Sequence, residues 1–195
     1  MKKRAKRQAA RKRLKMKVKV IGAGLAGCEA AYALASRGVE VDLYEMKPIR
    51  RSPAHHSDDF AELVCSNSLK AMRVESAAGL LKEEMRRLGS VCITAAEHNA
   101  VAAGGALAVD RDGFSHEITE RIRSHNLINV ISEECVSIDT DEITVICSGP
   151  LTDGALAEEI KRLTGGDSLS FFDAAAPIVS ADSIDMNRAF CASRY

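Results

Sequence analysis

The chain has 195 residues, of which 46% are hydrophobic and 28% charged, proportions that suit a globular protein and exclude a disordered one. Its formal net charge is zero, yet residues 1–15 hold nine Lys and Arg residues and no acid, which leaves 18 basic against 27 acidic side chains in the remainder. Because the six cysteines are scattered and the longest apolar run, 100–109, is too short for a membrane span, we predict a cytoplasmic protein without a disulfide framework, a metal site or a membrane segment.

Residues 1–15 are expected to form a basic, disordered tail, because they combine dense positive charge with few apolar side chains. Such a tail would bind RNA phosphates without sequence preference. The alternative is that Met16 is the true start and that the tail is a solvated or wrongly assigned extension. A secretory signal peptide is not expected, since no apolar segment with a cleavage site follows the basic residues.

A strand, a glycine loop, a helix and a second strand follow one another from Val18 to Glu45. Apolar and charged residues alternate up to Ile21, as in a short strand. Apolar residues then recur at helical spacing as far as Arg37, Gly38 supplies a left-handed cap, and the second strand ends on Glu45. Between the first strand and the helix lies a G-x-G-x-x-G sequence made of Gly22, Ala23, Gly24, Leu25, Ala26 and Gly27.

This glycine loop predicts a dinucleotide site. Gly22 permits a tight turn, Gly24 lets the backbone approach a pyrophosphate, and Gly27 lets the helix pack closely on the strand. The free N–H groups and the dipole of the helix N-terminus attract the pyrophosphate. Glu45, about 20 residues further on, can accept from a ribose hydroxyl and would repel a ribose phosphate, which favours FAD or NAD over NADP. These residues leave open the choice between FAD and NAD, and the alternative is a glycine-rich turn without a ligand.

The loop from Met46 to Asp59 contains two prolines and a concentration of hydrogen-bond donors. The donors would contact an anionic ligand, such as a flavin phosphate, a folate glutamate or RNA. The alternative is a solvated surface loop. The side chains concerned are Arg50, Arg51, His55 and His56.

Cys65 ends an apolar run and enters a turn rich in serine and asparagine. A thiol at the end of an element, near hydroxyl and amide donors, suits a reactive role, and Lys70 would favour the thiolate. The alternative is that Cys65 is a buried small hydrophobic side chain.

Downstream, an amphipathic helix is predicted over Val74–Leu88, with its apolar stripe facing the core. Two short strands are expected about the Gly-Gly pair within 100–110, then a turn at 110–114 and a helix capped by Ser115. The β-branched residues of 142–147 indicate a buried strand.

Gly149 follows that strand, at the carboxyl end where open α/β sheets bind ligands, and is therefore a candidate cofactor contact. The remaining expected elements are short strands at 129–132, 134–138 and 168–172, and a helix over 152–163 that Thr152 caps.

Four stretches match one family in sequence: 22–30, 62–69, 104–111 and 172–186. Over about residues 16–195 the sequence resembles the bacterial folate- and FAD-dependent tRNA (uracil-5-)-methyltransferase family. The stretches around Cys65 and the three consecutive alanines at 174–176 are much more specific than the glycine loop.

The resemblance implies that a one-carbon unit passes from methylenetetrahydrofolate, by way of reduced FAD, to carbon five of the T-loop uridine in tRNA, with NAD(P)H as the reductant. It implies that the glycine loop, Glu45 and Gly149 serve FAD and that Cys65 is the family's first functional cysteine. The implied fold is α/β, an FAD/NAD(P)-binding Rossmann-like fold of the two-dinucleotide-binding flavoprotein type. We expect a tail at 1–15, a first FAD-binding part at 16–75, an inserted α/β portion at 76–140 and a return at 141–195.

Members of the family are longer, so we expect the carboxyl-terminal half of the fold and the second functional cysteine to lie beyond Tyr195. We assign the role of the second functional cysteine to none of the other cysteines in this chain. Three competing interpretations are a non-catalytic FAD- or NAD-binding fragment, a relative of the larger FAD-dependent tRNA uridine-modifying proteins, and a pyridine-nucleotide disulfide reductase. The lack of a close cysteine pair disfavours the last of these.

Overall fold

A computed structural model of the chain describes residues 16–166 and 181–189; the basic tail and the strand expected at 168–172 lie outside the described residues. Within the described ranges, no helix is long and apolar enough to cross a membrane. The strands are β1 (Lys17–Ile21), β2 (Glu40–Glu45), β3 (Ser68–Ala71), β4 (Ala100–Val101), β5 (Ala106–Val109), β6 (Ile128–Ser132) and β7 (Thr144–Ile146). The helices are α1 (Leu25–Ala35), α2 (Ala77–Arg87), α3 (Val91–His98), α4 (Arg111–Arg123), α5 (Gly154–Thr164) and a short 3-10 helix (Ala181–Ser183).

Four strands form a parallel sheet in the order β6-β2-β1-β7. β1 lies between two neighbours, so that Val20 is opposite Leu43 on one side and Val145 on the other. Because all the strands run the same way, their carboxyl ends meet at one edge of the sheet. The predicted α/β architecture is confirmed.

Helix α1 covers this sheet with small side chains. Cys28, Ala31 and Ala35 are buried on it, and they belong to the same apolar cluster as Val20 and Leu43 of the strands. Burial alternates along β2, as the two-residue period of a strand requires. The largest other side chains in the cluster are Phe60, Phe114, Ile118 and Ile122.

A second, antiparallel sheet in the order β3-β5-β4 lies between β2 and β6 along the chain, together with α2, α3 and α4. Its β4 and β5 confirm the two short strands expected about the Gly-Gly pair, with Ala100 opposite Val109. The division of the chain at residues 75 and 140 stays a prediction; β6, which falls inside the 76–140 portion, pairs with β2.

The prediction that α2 turns its apolar stripe to the core was wrong. Leu81 is 55% exposed and Leu88 is 70% exposed. The helix instead packs through Gly79, where an added Cβ would lie 1.8 Å from the Arg73 carbonyl oxygen. The buried Lys82 lies on the same helix, and its Nζ donates to the Ala71 carbonyl oxygen at 3.0 Å. Close backbone packing therefore decided the orientation of α2.

Two helix starts differ from those predicted. α4 begins at Arg111 rather than near Ser115, because the Asp110 carboxylate caps it and accepts from the Gly113 N–H at 2.7 Å. α5 begins after Asp153, so Thr152 is not its cap. Helix α3 was not predicted at all.

Two strand predictions also fail. Residues 134–138 form no strand. The strand within 142–147 is shorter than expected and is half-exposed rather than buried, because β7 lies at the edge of the sheet in the described part of the chain.

Candidate functional site

A cleft of about 370 Å³ opens at the carboxyl ends of the parallel strands. Its volume falls within the usual range for small-molecule sites. The loops after β1, β2, β6 and β7 all contribute to its walls, which is the place where open α/β sheets bind ligands. Predicted site residues that line it are Gly22, Ala23, Gly24, Leu25, Ala26, Glu45 and Gly149; Gly27 and Cys65 do not line it.

The glycine loop makes a sharp turn between β1 and α1. Gly22 has a φ of +96°, and an added Cβ would lie 2.7 Å from the Cys147 carbonyl oxygen. At Gly27 an added Cβ would lie 1.7 Å from the Gly22 carbonyl oxygen, so helix and strand approach too closely for any side chain. A Cβ on Gly24 would meet nothing within 4 Å. Two of the glycines are thus needed for packing, and the third faces open space.

Glu45 joins the end of β2 to the glycine loop. Its side chain is buried; Oε2 accepts from the Ala23 N–H at 2.8 Å and Oε1 accepts from the Lys47 N–H at 3.0 Å. A carboxylate offers about four acceptor positions, so these bonds leave capacity for a ligand hydroxyl. The predicted end of the second strand at Glu45 is confirmed, but no local pattern indicated the bond to Ala23.

Gly149 lies in the loop after β7, with a φ of +79° and no atom within 4 Å of an added Cβ. The Thr152 hydroxyl lies 2.7 Å from Ser148 Oγ and 2.6 Å from the Gly149 carbonyl oxygen. Thr152 therefore shapes this loop instead of capping α5.

Cys65 is exposed in the turn before β3, and its neighbour Val64 lines the cleft. The Arg111 guanidinium donates to the Cys65 carbonyl oxygen at 3.2 Å, which anchors the backbone there. Cys28 and Cys92 are buried, and burial raises the pKa of both thiols far above its ordinary value. Of the cysteines that the structure describes, Cys65 alone is exposed.

A pair of charged groups that sequence reasoning missed, Lys47 and Glu62, lines the cleft. Lys47 is buried, its ammonium donates to the Asp59 carbonyl oxygen, and it lies 3.7 Å from Glu62 Oε2. His55 also lines the cleft; burial and the Lys47 ammonium lower the pKa of its imidazole. Lys47 and Glu62 are 15 positions apart and meet only because the loop folds back, so no local sequence pattern indicated this pair.

The arginines of the loop after β2 are engaged in ion pairs rather than free for a ligand. Arg50 pairs with Glu134, and its Nη2 lies 3.6 Å from Asp153 Oδ1. Arg51 pairs with Asp58. The prediction that these two side chains contact an anionic ligand has no support from their placement.

A parallel sheet, a G-x-G-x-x-G turn at the end of β1 and an acidic residue at the end of β2 meet around one cleft. Together they define an α/β protein of the dinucleotide-binding, Rossmann-like class.

Comparisons with known proteins identify the family. The model of the family described as glucose inhibited division protein A matches residues 17–195. The methylenetetrahydrofolate--tRNA-(uracil-5-)-methyltransferase TrmFO of Desulfitobacterium hafniense (strain Y51) is 58% identical over 178 residues, which are 91% of this chain and 41% of that protein. The protein of the same name from Streptococcus pneumoniae (strain Hungary19A-6) is 57% identical, over 91% of this chain and 40% of its own length.

The chain belongs to the glucose inhibited division protein A family. Its resemblance to the methyltransferases, indicated by the sequence motifs, is confirmed, and the chain spans about two fifths of the length of these relatives. Among solved structures, a mutant of P. aeruginosa PqsL aligns with 79% of this chain and with 47% of its own length. The two share 14% sequence identity, and the TM-score is 0.45. A likeness of that size adds nothing to the assignment.

Proposed function

We propose that this chain is the FAD-binding part of a methylenetetrahydrofolate- and FAD-dependent tRNA (uracil-5-)-methyltransferase, which forms 5-methyluridine in the T-loop. The observation that carries the proposal is the 58% identity to a protein of that name over 178 residues, a range long enough to include both the glycine loop and Cys65. NAD(P)H would be the reductant, tRNA the partner and the cytoplasm the location.

The residues of the cleft fit FAD. Gly22 and Gly27 hold the turn in a shape that exposes the start of α1, and Gly24 leaves the approach to it open. The N–H groups of that turn would bind the pyrophosphate. The Glu45 carboxylate, fixed by the Ala23 N–H, would accept from a ribose hydroxyl, and Gly149 would let the opposite loop approach the cofactor. When bound, FAD would supply the electrons and carry the one-carbon unit.

Cys65 is proposed as the catalytic thiol. It is exposed, whereas Cys28 and Cys92 are buried, and burial raises the pKa of their thiols and makes them poor nucleophiles. A soft, accessible thiol suits the reversible capture of an electrophilic carbon.

One observation favours a second candidate function. Cys65 does not line the cleft, although Val64 does, so in the described arrangement the proposed nucleophile does not face the nucleotide site. A non-catalytic FAD- or NAD-binding role is therefore the alternative.

The proposal is tested in two stages. The purified chain is first titrated with FAD and with NAD, after circular dichroism has shown that it is folded. A hybrid is then made in which residues 17–195 replace the corresponding part of the Streptococcus pneumoniae relative, and transfer of labelled carbon from methylenetetrahydrofolate to unmodified tRNA is measured.

We expect FAD binding by the chain and 5-methyluridine formation by the hybrid. Cys65→Ser should abolish transfer, whereas Ser66→Ala, which changes the neighbouring exposed residue, should leave it in place. Binding of NAD but not FAD would contradict the cofactor proposal. Full activity of the Cys65→Ser hybrid would contradict the proposed role of the thiol.

A further inference from the structure

Glu62 carries a buried carboxylate oxygen, Oε2, that has no hydrogen-bond partner in the described part of the chain. Its other oxygen, Oε1, accepts from the His56 N–H at 2.8 Å and from the Ser57 N–H at 3.2 Å. A buried carboxylate oxygen without a donor is costly, and native structures contain few of them. Glu62 lines the cleft, so a ligand can supply the missing donor.

Neither Lys47 nor His55 satisfies this oxygen. Lys47 Nζ lies 3.7 Å away, beyond hydrogen-bonding distance, and donates to the Asp59 carbonyl oxygen instead. His55, which also lines the cleft, has its Nδ1 2.7 Å from Ser52 Oγ. The positive charge of Lys47 holds the carboxylate in place and leaves its hydrogen-bonding capacity unused.

The backbone fixes Glu62 against the glycine loop. The Ala61 N–H donates to the Ala23 carbonyl oxygen at 2.9 Å, and the Phe60 N–H donates to Thr119 Oγ1 at 2.8 Å. Ala61 has a φ of +51°, a left-handed conformation that costs a non-glycine residue about 1 kcal/mol and that persists only where the surroundings impose it. Glu62 is thus held next to the glycine loop and three residues before Cys65.

The donor groups of FAD limit which part of it can reach Glu62, because Glu45 is already assigned to a ribose hydroxyl. The pyrophosphate at the glycine loop has only acceptor oxygens and therefore offers nothing to a carboxylate. The portion of FAD that follows it, toward the flavin ring, is a ribityl chain whose hydroxyl groups are donors. We propose that Glu62 Oε2 accepts a hydrogen bond from a ribityl hydroxyl of FAD and that Glu62 thereby positions the flavin end of the cofactor toward Cys65. This inference rests on the proposed FAD function.

The test compares two ligands on the full chain. FAD carries the ribityl group, whereas ADP occupies only the pyrophosphate and adenosine positions. Both are titrated calorimetrically into the unchanged chain, into Glu62→Gln and into Glu84→Gln. Glu62→Gln keeps the side-chain length and an oxygen for the His56 and Ser57 N–H groups, but it replaces the unsatisfied acceptor by an NH₂ group. Glu84→Gln removes the same charge from an exposed position of α2, remote from the cleft.

We expect Glu62→Gln to weaken FAD binding about tenfold, the effect of losing one hydrogen bond to a charged acceptor, with ADP binding unchanged. Glu84→Gln should change neither. An equal loss for FAD and ADP would mean that Glu62 only supports the glycine loop, and it would overturn the inference. Unchanged FAD affinity in Glu62→Gln would also overturn it while leaving the FAD proposal intact. If the unchanged chain binds ADP but not FAD, the cofactor proposal fails and the inference fails with it.

Discussion

Alanine substitutions at two positions of the glycine loop should have different effects: Gly27→Ala should lower the stability of the fold, and Gly24→Ala should weaken cofactor binding. In Gly27→Ala the new Cβ would lie 1.7 Å from the Gly22 carbonyl oxygen, which is 1.3 Å short of the 3.0 Å that real contacts respect. α1 would have to move away from β1, and such overpacking costs about 3 kcal/mol or more. For a chain of this size that lowers the melting temperature by roughly 6–12 °C.

In Gly24→Ala the new methyl group meets no atom within 4 Å, and the φ of −71° suits any residue. The loss of glycine at the N-cap costs under about 1 kcal/mol, so the fold should survive. The methyl group would point into the space through which the pyrophosphate approaches, so FAD affinity should fall at least about tenfold. Thermal unfolding followed by circular dichroism, together with FAD titration, separates the two effects. This reasoning would be refuted if Gly27→Ala had the same melting temperature as the unchanged chain, or if Gly24→Ala bound FAD with undiminished affinity.

Three further predictions concern thiol access, the Glu45 anchor and the orientation of α2. Iodoacetamide at mildly alkaline pH should modify Cys65 first and the buried Cys28 only on unfolding, because burial raises the pKa of the Cys28 thiol; peptide mass mapping shows the order, and early labelling of Cys28 would contradict it. Glu45→Gln should cost about 1.5 kcal/mol in urea unfolding, because one of two buried backbone N–H groups would then face an NH₂ group; an unchanged midpoint would argue against the contact. Leu81→Ser should change the free energy of unfolding by less than about 0.5 kcal/mol because Leu81 is exposed, whereas Ile118→Ala should lower it by about 3 kcal/mol because Ile118 is buried. The reverse ranking in urea unfolding would mean that the apolar stripe of α2 does face the core.

The β-α-β unit could be predicted because its signals are local. The alternation in β1, the helical spacing in α1 and the three glycines between them act within about 20 residues, and the structure reproduces them. The same holds for β4 and β5, where the Gly-Gly pair separates two short apolar runs.

The errors arose where a distant contact outweighed a local pattern. The apolar stripe on α2 has the period of a helix, but a period shows only which side chains share a face and not which face is covered. On α2 the covered face is that of Gly79, on which the Arg73 backbone packs. Gly113 suggested a turn, whereas the Asp110 carboxylate begins a helix there. The Glu62 oxygen is unsatisfied because of the way residues 46–62 fold over the cleft, and no local sequence pattern predicts that path.

The order in which the parallel sheet is assembled has a consequence for synthesis on the ribosome. β1 and β2 are close in sequence and can pair soon after both have been made, but the other neighbour of β1, β7, is distant in sequence: Lys19 and Thr144 lie side by side although 125 positions separate them. At about 5–20 residues per second, roughly 6–25 s pass between the two. Until then the cleft lacks the loop after β7, one of the four loops that line it, so we expect cofactor binding to follow translation of β7. FAD would then stabilise the finished sheet and would not guide the first steps of its folding.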